Sequence, residues 1–219
     1  MITEAIEDYL KTIYKLEDKR TRVSTNSLAD HLGIAAASVT GMLKKLAGLK
    51  LVSYQPYRGV QLTRQGRQRA LKVLRHHRLV ELYLVKVLGM PWDKVHQEAE
   101  RWEHVISEDV EQKIDAYLGH PSNCPHGAPI PSRSGAMKTM QMIRLDKLKV
   151  GQSSKLLEIK NENPELLKYL GKLGLYPGTK LKMLEIEPLG GVITILSGKV
   201  KITLGQEIVN NLYVKPVDN

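Results

Sequence analysis

Apolar residues in the stretch "TEAIEDYLKTIYKLED" recur at Ile6, Leu10, Ile13, Tyr14 and Leu16. A recurrence of three to four residues gathers them on one face, which predicts an amphipathic helix with Thr3 as its N-cap. The pattern then predicts a helix over about 24–32, broken by Gly33, and a second over about 36–48. "LVSYQPYRGVQLT" alternates, as two short strands about the Pro56–Gly59 turn would. Helix, Gly-containing turn, helix and hairpin is the order of a winged helix-turn-helix. From Thr63 to about Leu118 the helical period returns. One long helix, or two joined ones, closes at Gly89–Met90–Pro91, where proline stops it. A second helix is expected over "PWDKVHQEAERWEHVIS", with Asp93 as cap or in the acidic first turn. A third covers "SEDVEQKIDAYLG", capped by Ser107 and stopped by Gly119. The wide apolar faces of these helices suit a dimer layer.

"HPSNCPHGAPIPSRSG" reads as a loop running into a linker. Beyond it, "KLKMLEIEP", "GVITILS" and "KVKITLG" are short β-type runs, interrupted by one helix, "NPELLKYLGKLG". The chain is therefore expected to be mainly α with a small β domain. Residues 1–73 are expected to form the winged helix-turn-helix domain, 74–140 a helical domain, and 141–219 a small β-barrel.

Composition narrows the class. No apolar run approaches the roughly 20 residues a membrane span needs, and the acidic, amphipathic "MITEAIEDYL" is not a signal peptide. A single cysteine, Cys124, excludes an intramolecular disulfide and fits the reducing cytoplasm, the expected location. The net charge of +10 is uneven. Residues 1–75 hold 14 Lys/Arg against 6 Asp/Glu, whereas residues 76–140 hold 7 against 9. A basic block over the winged helix points to nucleic acid. The second helix is small and polar on one side (Ala35, Ala36, Ala37, Ser38, Thr40), so it can approach a major groove closely. Thr25 joins this set, and Lys44, Lys45 and Arg58 are placed to reach phosphates.

"HQEAERWEH" packs two histidines and three glutamates into nine residues. On one continuous helix His96, Glu100, Glu103 and His104 share a stripe. The preceding helix adds His77 and Glu81 at i, i+4. Carboxylate and imidazole together suit Mn, Fe, Co, Ni or Zn, and a stripe this long can serve two ions. A salt-bridged exposed face with Arg101 and a general acid/base cluster are the competing readings, although no phosphate loop, nucleophile elbow or "HExxH" accompanies the latter.

"EDYLKTIYKLE", "RHHRLVELYL", "KVHQEAERWEHVISEDVE" and "GHPSNCPHGAPIP" together resemble the diphtheria-toxin-repressor family of metal-dependent transcriptional regulators, over nearly the whole chain. The likeness is to its three-domain, manganese-responsive branch. It implies a primary metal site of Asp8, Glu100, Glu103 and His104, with Cys124 as an additional ligand. It implies a second site of His77, Glu81 and His96, completed from the C-terminal domain by Glu162, with Asn161 and Glu165 as rivals. It also implies that this last domain is Src-homology-3-like, as in ferrous-iron transport accessory proteins. Iron-responsive members carry Met and Cys where this chain has Asp8 and Glu100, and carboxylates favour a harder ion such as Mn2+. Two-domain manganese regulators carry Glu at the position of Lys11. Lysine cannot ligate there, so one ion per site is expected.

The resemblance thus implies a homodimeric, Mn2+-activated repressor of metal-uptake genes that binds palindromic operator DNA. Fe2+ is the alternative effector, and Zn2+, Co2+ or Ni2+ are substitutes in vitro. Outside this class stand a metal-independent winged-helix regulator and a helical di-metal enzyme. The enzyme would need Glu-x-x-His on two helices, yet Arg101 precedes His104 and Leu74 precedes His77 at that spacing.

Overall fold

A computed structural model describes residues 3–17, 22–138, 140–187 and 191–217. The chain divides into two compact units. The first comprises residues 1–77, 102–106 and 131–136, and the second residues 78–101, 107–130 and 137–219.

In the first unit, α1 (Glu4–Leu16), α2 (Thr25–Leu32) and α3 (Ala36–Gly48) precede a hairpin of β1 (Val52–Gln55) and β2 (Gly59–Leu62). The Ser24 hydroxyl accepts from the Ser27 N–H at 3.0 Å and starts α2, and Gly33 ends it at φ +66. Only glycine adopts that conformation without strain. Thr3 occupies the N-cap position of α1, but its side chain caps nothing; its carbonyl accepts from Ile6 and Glu7 instead. Ile6, Leu10 and Ile13 are fully buried with Leu28, Val39, Leu43, Leu46 and Val60. The apolar period of α1 therefore builds the core that holds α3 and the wing.

Helix α4 runs unbroken from Arg64 to Lys86. α5 is shorter than its sequence pattern suggests, covering only Val95–Trp102, and α6 spans Glu108–Tyr117. Residues 103–105 form a turn in which Val105 and Ile106 both donate to the Trp102 carbonyl. Ser107 then caps α6 by accepting from Val110. A second N-cap five residues past Trp102 forces the first helix to end, because the chain must leave helical geometry to enter a cap.

The second unit also contains β3 (Ile143–Arg144), β4 (Ser153–Ile159), α7 (Pro164–Lys172), β5 (Lys180–Ile186), β6 (Val192–Ser197), β7 (Val200–Gly205), α8 (Gln206–Val209) and β8 (Leu212–Val217). Asn163 caps α7, and Pro164 stands in its first turn. The strands form one antiparallel sheet in the order β3-β8-β4-β5-β6-β7. Among the described residues this sheet is open, which corrects the expected barrel. Closure would require β7 to bond β3, and β3 has two residues. Leu156, Leu181, Met183, Ile195, Leu204 and Val214 form the core with Leu167 and Leu170 of α7.

Candidate metal centres and DNA-reading face

Asp8, Glu103 and His104 come together in the first unit. One donor atom from each lies within 4.8 Å of the others. His104 Nε2 is 2.9 Å from Asp8 and 3.3 Å from Glu103, while its Nδ1 is 2.7 Å from Glu7. Burial pushes the Asp8 carboxyl above its ordinary value, against the pull of His104 and Lys11. Burial also opposes charge on His104, but the Glu7 hydrogen bond and the charges of Asp8 and Glu103 outweigh it, so its pKa rises. Glu103 is almost fully buried; it binds the Lys11 ammonium and lies 2.5 Å from His77 Nδ1. Such a concentration of one buried and several half-buried acceptors fits a cation. Glu7 was not singled out from sequence; its signal is its place beside Asp8, one turn before Lys11.

Because α5 ends at Trp102, Glu103 and His104 are not on a common helical stripe with His96 and Glu100. The stripe expected from spacing is divided at that turn. Glu100 belongs to the second unit, where its carboxylate is 3.6 Å from His96. His96 also faces Glu81 at 3.5 Å and Glu162 at 3.3 Å.

Cys124 is buried and groups with Glu81 and His126, again within 4.8 Å. His126 is absent from the expected ligand set. The signal for it was "CPHG", since Pro at the second and Gly at the fourth position mark a turn. Gly127 donates to the Cys124 carbonyl at 3.0 Å and closes that turn. Gly127 has φ +91, and a Cβ there would lie 1.9 Å from the Leu157 carbonyl oxygen. His126 Nε2 donates to the Trp92 carbonyl at 2.9 Å, and Nδ1 faces Glu81 at 3.5 Å. Anchoring one ring nitrogen on a carbonyl is how a metal-binding histidine is oriented. Burial opposes the imidazolium, yet hydrogen bonds to Cys124 and Glu81 push His126 up to about 11. Burial and the Glu81 charge raise the Cys124 thiol. Carboxylate, imidazole and thiol together fit a first-row divalent metal.

On α3 and its approach, Ala35, Ala37, Ser38, Lys44 and Lys45 are exposed, as is Arg58 in the wing turn. Thr25 and Thr40 are half-buried, and the Thr40 hydroxyl donates to the Ala36 carbonyl. Tyr57, at the wing tip with φ +66, is fully exposed beside Arg58 and was not singled out from sequence. Among the described residues, no helix is long and apolar enough to cross a membrane.

Comparison with known proteins bears on these sites. Residues 1–60 match the family model "Iron dependent repressor, N-terminal DNA binding domain". Residues 63–132 match "Iron dependent repressor, metal binding and dimerisation domain", and 143–216 match the FeoA domain. The iron-dependent repressor IdeR of Mycobacterium leprae is 32% identical over 228 residues, covering 99% of each chain. A solved manganese-dependent transcriptional repressor in complex with manganese superimposes with a TM-score of 0.88 at 33% identity, over 97% of this chain and 100% of that one. ScaR with bound Cd2+ has a TM-score of 0.82 at 29% identity, over 97% and 99%.

Proposed function

Since the chain belongs to the iron-dependent repressor family of non-enzymatic, metal-dependent transcriptional regulators, we propose that Mn2+ is its activating ion. On this reading it works as a homodimer on a palindromic operator in the cytoplasm and controls metal-uptake genes. Residues 1–73 read DNA, 74–140 hold ions and dimerise, and 141–219 donate Glu162 to the second site.

The observation that carries this reading is the Asp8–Glu103–His104 centre. Asp8 is on α1, whose buried face packs into the core behind α3. Glu103 and His104 are in the turn after α5. A bound divalent ion supplies the charge that holds these oxygen and nitrogen donors together. Asp8 on α1 and Glu103 in that turn, already joined through His104 and Lys11, would hold the ion between them, and its charge would offset their mutual repulsion. Glu7, Asp8 and Glu103 raise the His104 pKa, so proton and metal compete for its ring nitrogen. Lys11 already neutralises one Glu103 oxygen, so a single ion suffices here. Metal and DNA favour the same arrangement, and each raises affinity for the other by the same factor. Oxygen-rich donors favour Mn2+, and the likeness to a manganese complex supports that choice.

Glu81, Cys124 and His126 are the donors proposed for the remaining ion, with His96 and Glu162 beside them through Glu81. The Cys124 thiol is softer than carboxylate, and this favours Fe2+ as the second reading. Gel shifts with Glu103→Gln decide the matter of the first centre. Loss of Mn2+-dependent operator binding, with unchanged circular dichroism, is expected. Retained Mn2+-dependent binding overturns the proposal. Titrations of wild-type protein with Mn2+ and Fe2+ at fixed salt separate the two metals.

A further inference from the structure

The sheet of the second unit presents a basic face that neither metal binding nor the winged helix uses. Lys155 on β4 stands directly opposite Lys180 on β5 and Lys215 on β8. Opposed residues of an antiparallel ladder project to the same side, with Cβ atoms about 5 Å apart. Three ammonium groups therefore form one rank across adjacent strands. In the next rank Ser153 faces Lys182, Lys182 faces Leu196, and Leu196 faces Lys201. All five lysines are exposed, and among the described residues none of them forms an ion pair. The carboxylate of β5, Glu185, stands past a bulge, opposite Thr194. A depression of about 430 Å3 opens at this end of the sheet, with Ser153, Lys180 and Lys182 in its lining.

Directly opposed like charges destabilise a sheet. Lysines on edge strands have a bland explanation, since they block edge-to-edge aggregation. That explanation covers Lys201 on the edge strand β7 and Lys215 beyond the two-residue β3, but Lys155 on β4 and Lys182 on β5 are paired on both sides. Solubility alone would be served equally well by lysines alternating with glutamates, without the repulsion.

We propose that this lysine face binds the phosphate backbone of duplex DNA, as a sequence-independent contact additional to the winged helix. Lysine is a flexible point charge, suited to neutralising phosphates rather than to bidentate base reading. The two ranks contain no arginine and no aromatic residue on which single-stranded bases would stack. An acidic protein partner would call for a large desolvated apolar or aromatic anchor, and the two ranks hold two aliphatic residues, Leu196 and Val217, and no aromatic one.

The inference rests on the family's DNA binding and is independent of the metal assignment. The test uses the full chain with Mn2+ and a random-sequence duplex of about 40 bp, titrated by fluorescence anisotropy across roughly 50–300 mM salt. Each phosphate neutralised contributes about 0.9 to the slope of log K against log salt. The triple variant Lys155→Gln, Lys180→Gln, Lys182→Gln should flatten that slope by about 2–3 and weaken binding about equally on unrelated sequences. Its melting temperature should hold or rise, because repulsion is removed. The matching triple arginine variant should keep the wild-type slope. Lys44→Gln with Lys45→Gln reports separately on the winged helix, so failure of one surface is distinguishable from failure of the other. An unchanged slope and affinity in the glutamine variant overturns the proposal. So does loss of polyglutamate binding with duplex binding intact, which would assign the face to an acidic protein.

Discussion

Replacing Gly127 by alanine tests whether one turn holds the Cys124 and His126 donors in place. The added Cβ would lie 1.9 Å from the Leu157 carbonyl oxygen and 2.8 Å from Glu158 Cα. Real Cβ contacts essentially never fall below 3.0 Å, so the two backbones must part by about 1.1 Å, the difference between 3.0 and 1.9. No flexible side chain can absorb that movement. A positive φ costs a non-glycine residue about 1–2 kcal/mol. Separation also strains the bond from Ile159 N–H to the His126 carbonyl, 2.9 Å, and the one from Gly127 N–H to the Cys124 carbonyl, 3.0 Å. Each is worth about 0.5–1.5 kcal/mol, so the whole change should cost about 2–5 kcal/mol. For a chain of this size about 2–4 °C is lost per kcal/mol, which gives a fall of roughly 4–20 °C. Calorimetry in chelator measures that fall. Titration with Co2+, followed by the thiolate-to-metal absorption band of Cys124, measures the site. Gly127→Ala should weaken the band along with the melting temperature. A variant that melts with wild type and shows the same Co2+ spectrum would refute the argument.

Metal binding at Glu81, Cys124 and His126 should release protons. His126, pushed up to about 11, and the raised Cys124 thiol are both protonated at neutral pH and must lose those protons to ligate. Affinity should therefore rise with pH, by up to tenfold per unit for each proton, and calorimetry in buffers of different ionisation enthalpy counts them. In metal-free protein the same raised His126 pKa stabilises the fold fully below about 6.5, its unfolded value, and that contribution fades as pH climbs towards 11. Lys11→Ala removes a buried partner of Glu103 and should destabilise metal-free protein by about 3 kcal/mol. Mn2+ should recover more stability in that variant than in wild type; equal recovery in the two would show that Lys11 and the ion do not compete for Glu103. Ser24→Ala removes the cap of α2 and should cost the first unit about 1 kcal/mol in urea unfolding, with Mn2+ affinity unchanged by isothermal titration.

The winged helix was legible because its signals are local. Ser24 accepts from a residue three ahead, Gly33 ends α2 within its own turn, and the Pro56–Gly59 turn joins neighbouring strands. The same local reading failed at α5. Apolar and charged positions continue in register through "WEH" up to the Ser107 cap, and nothing in that period shows that the helix stops at Trp102 or that Lys11 and His77 hold the Glu103 carboxylate. The strands β4 and β8 were missed for a related reason. They lie far apart in sequence but pair from Ser153–Val217 to Ile159–Leu212, across a bulge near Leu157 that breaks alternation.

Sequence alone determined the helices and the basic winged helix, because caps, turns and apolar periods act over a few residues, and its motifs carried the likeness to the family. It also supplied the donor types, and with them the class of metal. Only the tertiary structure decided which donors meet. Cys124 joins Glu81 and the unforeseen His126, Glu103 joins Lys11 and His77, and His104 is held between Glu7 and Asp8. It also brought Lys215, Lys155 and Lys180 into one rank. Both outcomes depend on register and long-range packing, energies shared among residues distant in the chain, and no window along the sequence contains them.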